Sequence, residues 1–197
     1  MNKTEQLKKI LSKKPTTAAE VARRGIPTSL LTRLVRKGFA RRTNRGLYVS
    51  AESGYSEIAD YLALAAMVPN GVFTLLSALR LHELTDENPH RLSMMLRQGE
   101  HTPCIRTPEV QFFYRKEPQF SAGIETRSDS GIPLRVYSLE QTIADLFQYR
   151  NKIGLDVAIA ALREAARDNR IDWNKLWQAA ERTRMTRIMK PYIDAVI

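Results

Sequence analysis

Nine residues near the start of the chain have the types and spacing needed to read a nucleic acid: Ser29, Thr32, Arg33, Arg36, Lys37, Arg41, Arg42, Asn44 and Arg45. The first five recur at i, i+3, i+4, i+7 and i+8, which puts them on one side of a helix, while Leu30, Leu31, Leu34 and Val35 take the other side. Hydroxyl and guanidinium groups near the start of such a helix can bond base edges in a major groove, and Arg can pair bidentately with guanine. Ser29, Thr32 and Arg33 are therefore the expected base-reading residues. Arg36, Lys37, Arg41, Arg42 and Arg45 are expected to hold phosphates, contacts that position a protein on a duplex without reading sequence. Asn44 falls in a turn, where it either serves the turn itself or adds a contact at its tip.

The distribution of charge points the same way. The chain of 197 residues has a net charge of +10, and its first 54 residues hold 13 of the 31 Lys/Arg but 3 of the 21 Asp/Glu. That segment thus accounts for the whole excess, and the remainder balances at 18 of each sign. A positive excess confined to one end concentrates a polyanion at one surface. Double-stranded DNA is the expected partner and an anionic membrane surface the competitor; a solvated charged face is the bland alternative.

The elements that must position these residues follow from pattern. Leu7, Ile10 and Leu11 share one face of a helix over Lys3–Ser12 that Pro15 ends. Thr17 and Glu20 have capping-box spacing and start a second helix near Ala18. Gly25 then allows a tight turn, and Thr28 is placed to cap the third helix, the one bearing Ser29 to Lys37. Gly38 ends it at a position wanting positive φ, and "FARRTNRGLYV" reads as strand, turn through Thr43 to Gly46, and strand. The sum is a winged helix-turn-helix over residues 1–52, whose last helix enters a major groove while the hairpin meets backbone or minor groove.

Residues 53–197 form the second expected domain, after a short joint at "SAESG" (50–54). Ser56 can cap a helix over 57–68, and Pro69-Asn70-Gly71 breaks it. A helix over 74–81 and a polar turn, "HELTDENPH", precede three alternating runs at 91–97, 109–116 and 132–138, which predict a small antiparallel sheet because no crossover helix separates them. Ser138 with Gln141 opens a helix toward Arg150, and helices follow around Leu155–Ala166, from Asp172 with Trp173 and Trp177, and over Ile188–Val196. The tryptophans are read as core. The fold class is α+β, mainly helical.

Chemistry beyond binding finds little support. His82, His90 and His101 form no HExxH pair, and a single cysteine excludes a four-ligand zinc pattern, so no metal, cofactor or catalytic residue is expected. His82 is read as a hydrogen-bonded packing residue and Cys104 as a partly buried thiol without chemistry. GxxxxGK[ST], GxGxxG and GxSxG are absent. The enzymatic alternative is a DNA nuclease using Asp86, Glu109 and Gln111, a poor imitation of a two-metal carboxylate site that lacks the lysine. Arg182, Arg184, Arg187 and Lys190 gather in nine residues, as a solvated helix face or as a contact for DNA or protein. The longest apolar run, Tyr61 to Val68, falls far short of the roughly 20 residues a membrane helix needs. With no apolar run after "MNKTEQLKKILSKK", a cytoplasmic chain is expected.

Three stretches, in order, resemble the AbiEi family of antitoxins from bacterial toxin-antitoxin and phage-defence operons. "GIPTSLLTRLVRKGFARRTNRGLYV" is similar to its winged-helix signature with a basic hairpin ending in Gly-Leu-Tyr. "TLLSALRLHELT" (74–85) is similar to its Ser-Ala-Leu…Leu-His segment, with Glu83 where a small residue such as glycine is the pattern. "VYSLEQTIADLFQYR" (136–150) resembles a later strand-to-helix segment. The resemblance implies a transcriptional repressor that binds operator DNA of its own operon and an antitoxin domain that counteracts a co-encoded nucleotidyltransferase-like toxin directly or indirectly; separately, because one small domain binds only a short half-site, two copies on an inverted repeat are expected. It transfers no toxin-neutralising residue. The alternative is a winged-helix regulator whose second domain senses a ligand or dimerises.

Overall fold

The structure is a computed structural model that describes residues 2–13, 16–44, 47–51, 59–85, 89–106, 108–129 and 132–196. The chain divides into two compact units: Met1–Pro69 with Pro103–Glu109 and Arg127–Leu134, and Asn70–Thr102 with Val110–Thr126 and Arg135–Ile197. Of the expected features, Pro15, Arg45 and Gly46, Glu52 to Gly54 in the joint, the Ser56 cap and Asp86 lie outside the described residues, as do the side chains of Arg41 and Asn44.

The first unit opens with α1 (Lys3–Lys13), β1 (Thr16–Thr17), α2 (Ala18–Arg23) and α3 (Ser29–Arg36), then β2 (Ala40–Asn44) and β3 (Leu47–Ser50). Thr17 caps α2 as its spacing predicts, its Oγ1 accepting from Glu20 N at 3.1 Å. The Glu20 carboxylate does not complete the box; it pairs with Arg24 one turn on, at 2.8 Å. Thr28 precedes α3 with helical φ/ψ and makes no side-chain cap, so that expectation fails: its backbone has already entered the helix. Gly25 and Gly38 sit at φ +69° and +73°, the left-handed region that ends α2 and α3. β3 lies between β1 and β2, antiparallel to both, and the register of β2 and β3 shifts between Arg42 and Asn44. Leu7, Leu11, Val21, Ile26, Leu31, Leu34, Ala40 and Tyr48 form one buried cluster. The apolar run at 61–68 lies largely in α4 (Ala59–Met67), which buries Tyr61 to Ala65 on every side of the helix.

A second sheet runs through β4 (Val72–Phe73), β5 (Leu92–Arg97), β6 (Val110–Arg115), β7 (Ile124–Asp129) and β8 (Ile132–Tyr137), in the order β6-β5-β4-β8-β7. The expectation of an antiparallel sheet is corrected: the sheet is mixed. β5 pairs with β6 in parallel, from Leu92↔Val110 to Arg97↔Arg115, and β4 with β8 in parallel, while β4 and β5 are antiparallel. A parallel pair needs a crossover of about a dozen residues, usually helical; residues 98–109 supply that length, and the described ones among them are turn and coil instead. β5 is buried on both faces, Ser93 included, so it does not keep the inside-outside alternation of a half-exposed strand.

The helices of the second unit are α5 (Leu75–Leu81), α6 (Leu139–Gln148), α7 (Arg150–Ile153), α8 (Leu155–Arg167), α9 (Trp173–Arg182) and α10 (Thr186–Asp194). Ser138 caps α6 through Gln141 N, and Asp172 caps α9 through Asn174 N and Lys175 N, as their spacing predicts. α6 is the central helix, packed by α5, α8 and α9 and buried over Leu139–Phe147. The Trp173 and Trp177 rings pack against the core around it. His82 is buried, its Nε2 donating to Tyr137 O at 2.7 Å, the packing role expected of it. Cys104, by contrast, is exposed rather than partly buried, because it lies in coil. Glu83 takes φ +57°, the conformation that glycine adopts most cheaply.

At the heart of this unit is an ion pair. Arg115 Nη2 donates to Asp145 Oδ1 at 2.7 Å, with side-chain exposures of 9% and 0%. Asp145 also accepts from Gln141 Nε2 at 2.8 Å and from Thr74 Oγ1 at 3.2 Å. Burial works against the Arg115 charge, but the Asp145 carboxylate outweighs it and holds the guanidinium above its ordinary range. Burial also pushes the phenols of Tyr137 and Tyr149 up, with Arg115 offsetting part of the rise. Among the described residues, no helix is long and apolar enough to cross a membrane, and no group of three or more His, Cys, Asp or Glu could hold a metal ion.

Candidate nucleic-acid interface

α3 is eight residues long, and its two faces divide as their chemistry requires. Leu31 and Leu34 are buried, and Leu30 and Val35 half-buried, in the cluster formed with α1 and α2. Burying each large aliphatic side chain contributes about 1.5–3 kcal/mol, which pins the rotation of the helix about its axis. With that rotation fixed, Ser29, Thr32, Arg33, Arg36 and Lys37 all stand exposed on the other side. The helix N-terminus begins at Ser29, so the small hydroxyl residues lie nearest the end that can approach base edges and the cations cluster in the last turn.

The hairpin extends the basic surface. Arg42 is exposed on β2, with its guanidinium 5.8 Å from the centre of the Tyr48 ring, itself buried. Arg41 is paired with Val49 and Asn44 with Leu47 in the backbone register, so both belong to the hairpin's strands rather than to its connection. The expectation of a turn starting at Thr43 and including Asn44 is thereby moved by two residues: β2 extends through both.

Two contributors to this surface go unannounced in the sequence pattern. Lys8, on α1, stands over the Phe39 ring at 3.8 Å, and Phe39 is 43% exposed between α3 and β2. A cation stacked on an exposed aromatic ring, in the chain segment between Lys37 and Arg42, adds a flat apolar surface, and base or sugar faces pack on such surfaces. Lys3 Nζ bonds Gly25 O at 3.0 Å and so ties α1 to the turn that leads into α3. The only available signal was the alternation of lysine with leucine along α1, which by itself reads as an ordinary amphipathic helix.

Of the residues named for the nuclease alternative, Glu109 and Gln111 are exposed and Asp86 lies outside the described residues, so no carboxylate cluster is assembled among the described ones. The C-terminal basic residues separate: Arg182 is half-buried against Gln141, with Nε and Nη2 at 3.2 and 3.1 Å from Oε1, whereas Arg184, Arg187 and Lys190 are exposed.

No family model matches the chain, and no curated protein matches it. Among solved structures, the crystal structure of the RV2827C protein from Mycobacterium tuberculosis is similar, with a TM-score of 0.62 at 13% identity over 93% of this chain and 72% of that one. At such identity the likeness is one of fold, an α+β architecture, and fold alone does not assign function.

Proposed function

We propose that the chain is a winged helix-turn-helix DNA-binding protein that represses its own operon, and the antitoxin of a co-encoded nucleotidyltransferase-like toxin, with no catalytic activity of its own. The observation that carries the DNA-binding half is the orientation of α3: Leu31 and Leu34 are buried, which leaves Ser29, Thr32 and Arg33 facing outward in the segment that holds the whole net charge. Residues 1–52 are the DNA-binding domain in this reading and residues 53–197 the antitoxin domain. Operator half-sites on an inverted repeat would take two copies, since one small domain contacts only a short site.

The antitoxin half rests on the resemblance to the AbiEi family and on the electrically balanced composition after residue 54, and the cell compartment it requires is the cytoplasm. Co-expression with the neighbouring gene tests it. Rescue of growth together with co-purification supports direct neutralisation, rescue without co-purification supports the indirect form, and failure to rescue growth overturns the antitoxin reading while leaving DNA binding standing.

A second reading, a regulator whose second unit senses a ligand, is favoured by one observation: that unit contains a polar cavity of about 330 Å³ beside the Arg115–Asp145 pair.

A further inference from the structure

The cavity in the second unit is lined entirely by polar or charged side chains, arginine, lysine, glutamine, tyrosine and threonine, and no carboxylate is among the described residues that line it. Arg115 forms part of its wall, and its charge is matched by Asp145 behind it. Three further cations, Lys116, Arg182 and Arg184, line the cavity. None of the described salt bridges engages any of the three. An uncompensated charge of this size around one opening calls for a multivalent anion rather than a single carboxylate.

One feature marks the cavity as a built site: a guanidinium in its wall is fixed in place. Arg184 lies at φ +59° in the turn between α9 and α10, the left-handed position at which Arg184 N donates to Glu181 O and Met185 N to Ala180 O to end α9. Arg182, next to it, is held by two hydrogen bonds to Gln141 Oε1, and Gln141 in turn donates to Asp145. The guanidinium of Arg182 is thereby fixed to the same network that fixes Arg115, so two planar forks are oriented before any ligand arrives. Arg115 Nη1 is buried without a hydrogen-bond partner among the described residues.

We infer that this cavity binds a phosphorylated small molecule, with Arg182, Arg184 and Lys116 holding its phosphate oxygens and the wall glutamines bonding its polar remainder. The volume lies at the lower end of the roughly 300–1,000 Å³ common for small-molecule sites, room for a phosphate ester or diphosphate rather than for a large apolar ligand. This site is independent of the DNA-binding reading, because every lining residue belongs to the second unit.

Isothermal titration of the full chain in near-physiological salt tests it, with inorganic phosphate, pyrophosphate and adenosine diphosphate as separate probes. The expected result is saturable binding of pyrophosphate or the nucleotide with Kd below about 1 mM, which places the ligand well inside measurable affinity. Tighter binding of the nucleotide than of pyrophosphate identifies a nucleotide as the ligand; equal binding identifies the phosphate moiety alone. Two variants then separate binding from folding. Arg184→Gly removes the guanidinium and suits its φ, so it is expected to fold at least as stably as the parent while losing about tenfold in affinity, or about 1.4 kcal/mol. Lys116→Gln, at an exposed position, is expected to lose affinity without unfolding, and Arg163→Gln, exposed on α8 away from the cavity, to change nothing. No saturable binding of any probe overturns the inference. So does binding that Arg184→Gly and Lys116→Gln leave unchanged, or displacement of the probes only by duplex DNA.

Discussion

Replacing Asp145 by Asn is the most informative single perturbation of the second unit. The side chain is fully buried and accepts three hydrogen bonds, from Arg115, Gln141 and Thr74, at 2.7, 2.8 and 3.2 Å. Asparagine keeps the shape, but it removes the charge and turns one acceptor into a donor facing other donors. Arg115, 9% exposed, is then a buried cation with no counter-charge. Breaking such a pair from one side costs about 3–5 kcal/mol. For a chain of this length each kcal/mol corresponds to roughly 2–4 °C, so the midpoint is expected to fall by about 6–20 °C. Both tryptophans of the chain, Trp173 and Trp177, pack against the core of this unit, so intrinsic fluorescence during urea or thermal unfolding reports on it selectively. The double replacement Arg115→Met with Asp145→Leu removes both charges at once and is expected to recover most of the loss, because a well-packed apolar pair avoids the cost of desolvating two ions. A loss below about 1 kcal/mol for Asp145→Asn, or a double variant as unstable as the single one, would refute the claim that the pair braces this unit.

Further outcomes follow from particular residues. Glu83→Gly is expected to stabilise the chain by about 1 kcal/mol, because Glu83 holds φ +57° at the end of α5 and only glycine adopts that backbone freely; urea unfolding checks it. The buried Tyr137 phenol, raised by its burial, keeps its proton after the unfolded chain's phenol begins to ionise near about pH 10. Its contribution is therefore complete below that pH and is lost as pH rises above it, so the stability difference between the parent and Tyr137→Phe is expected to hold up to about pH 10 and to shrink as pH rises further in urea titrations. Arg42→Ala is expected to weaken operator and random duplex alike, whereas Arg33→Ala is expected to lose about 1–3 kcal/mol on the operator selectively; competition titrations with both duplexes distinguish them.

Periodicity and caps make the first unit legible in its sequence. The leucine stripe of α3, the Thr17 cap of α2 and the positive φ of Gly25 and Gly38 are local signals, and each lies within a few residues of what it controls. The second sheet obeys non-local rules. β4 is two residues long, β7 reads "IETRSD" with an exposed stretch from Glu125 to Ser128, and β5 is buried on both faces, so none of the three carries a clean alternation. Strand direction was unreadable for a related reason: the parallel pairing of β5 and β6 is made across a connection with no helix among its described residues to announce it. The bond between Arg115 and Asp145 joins residues 30 apart, on a strand and a helix, and nothing in the spacing of either identifies its partner. The same holds for the polar cavity, whose wall is drawn from several elements of one unit, although the cluster at Arg182 and Arg184 was visible as a local concentration of charge.

Whether the basic leading segment reads DNA is the question on which most depends. Fluorescence anisotropy of the full chain, with a duplex from the region upstream of its own gene and a scrambled duplex of equal length, measures this across salt concentration. If Arg36, Lys37, Arg41, Arg42 and Arg45 hold five phosphates, the logarithmic salt slope is expected to be about −4.5, so affinity falls by about 500-fold between 50 and 200 mM salt. The upstream duplex is expected to bind more tightly than the scrambled one throughout. A failure to retain either duplex at low salt, or a slope near zero, would contradict DNA reading by this segment.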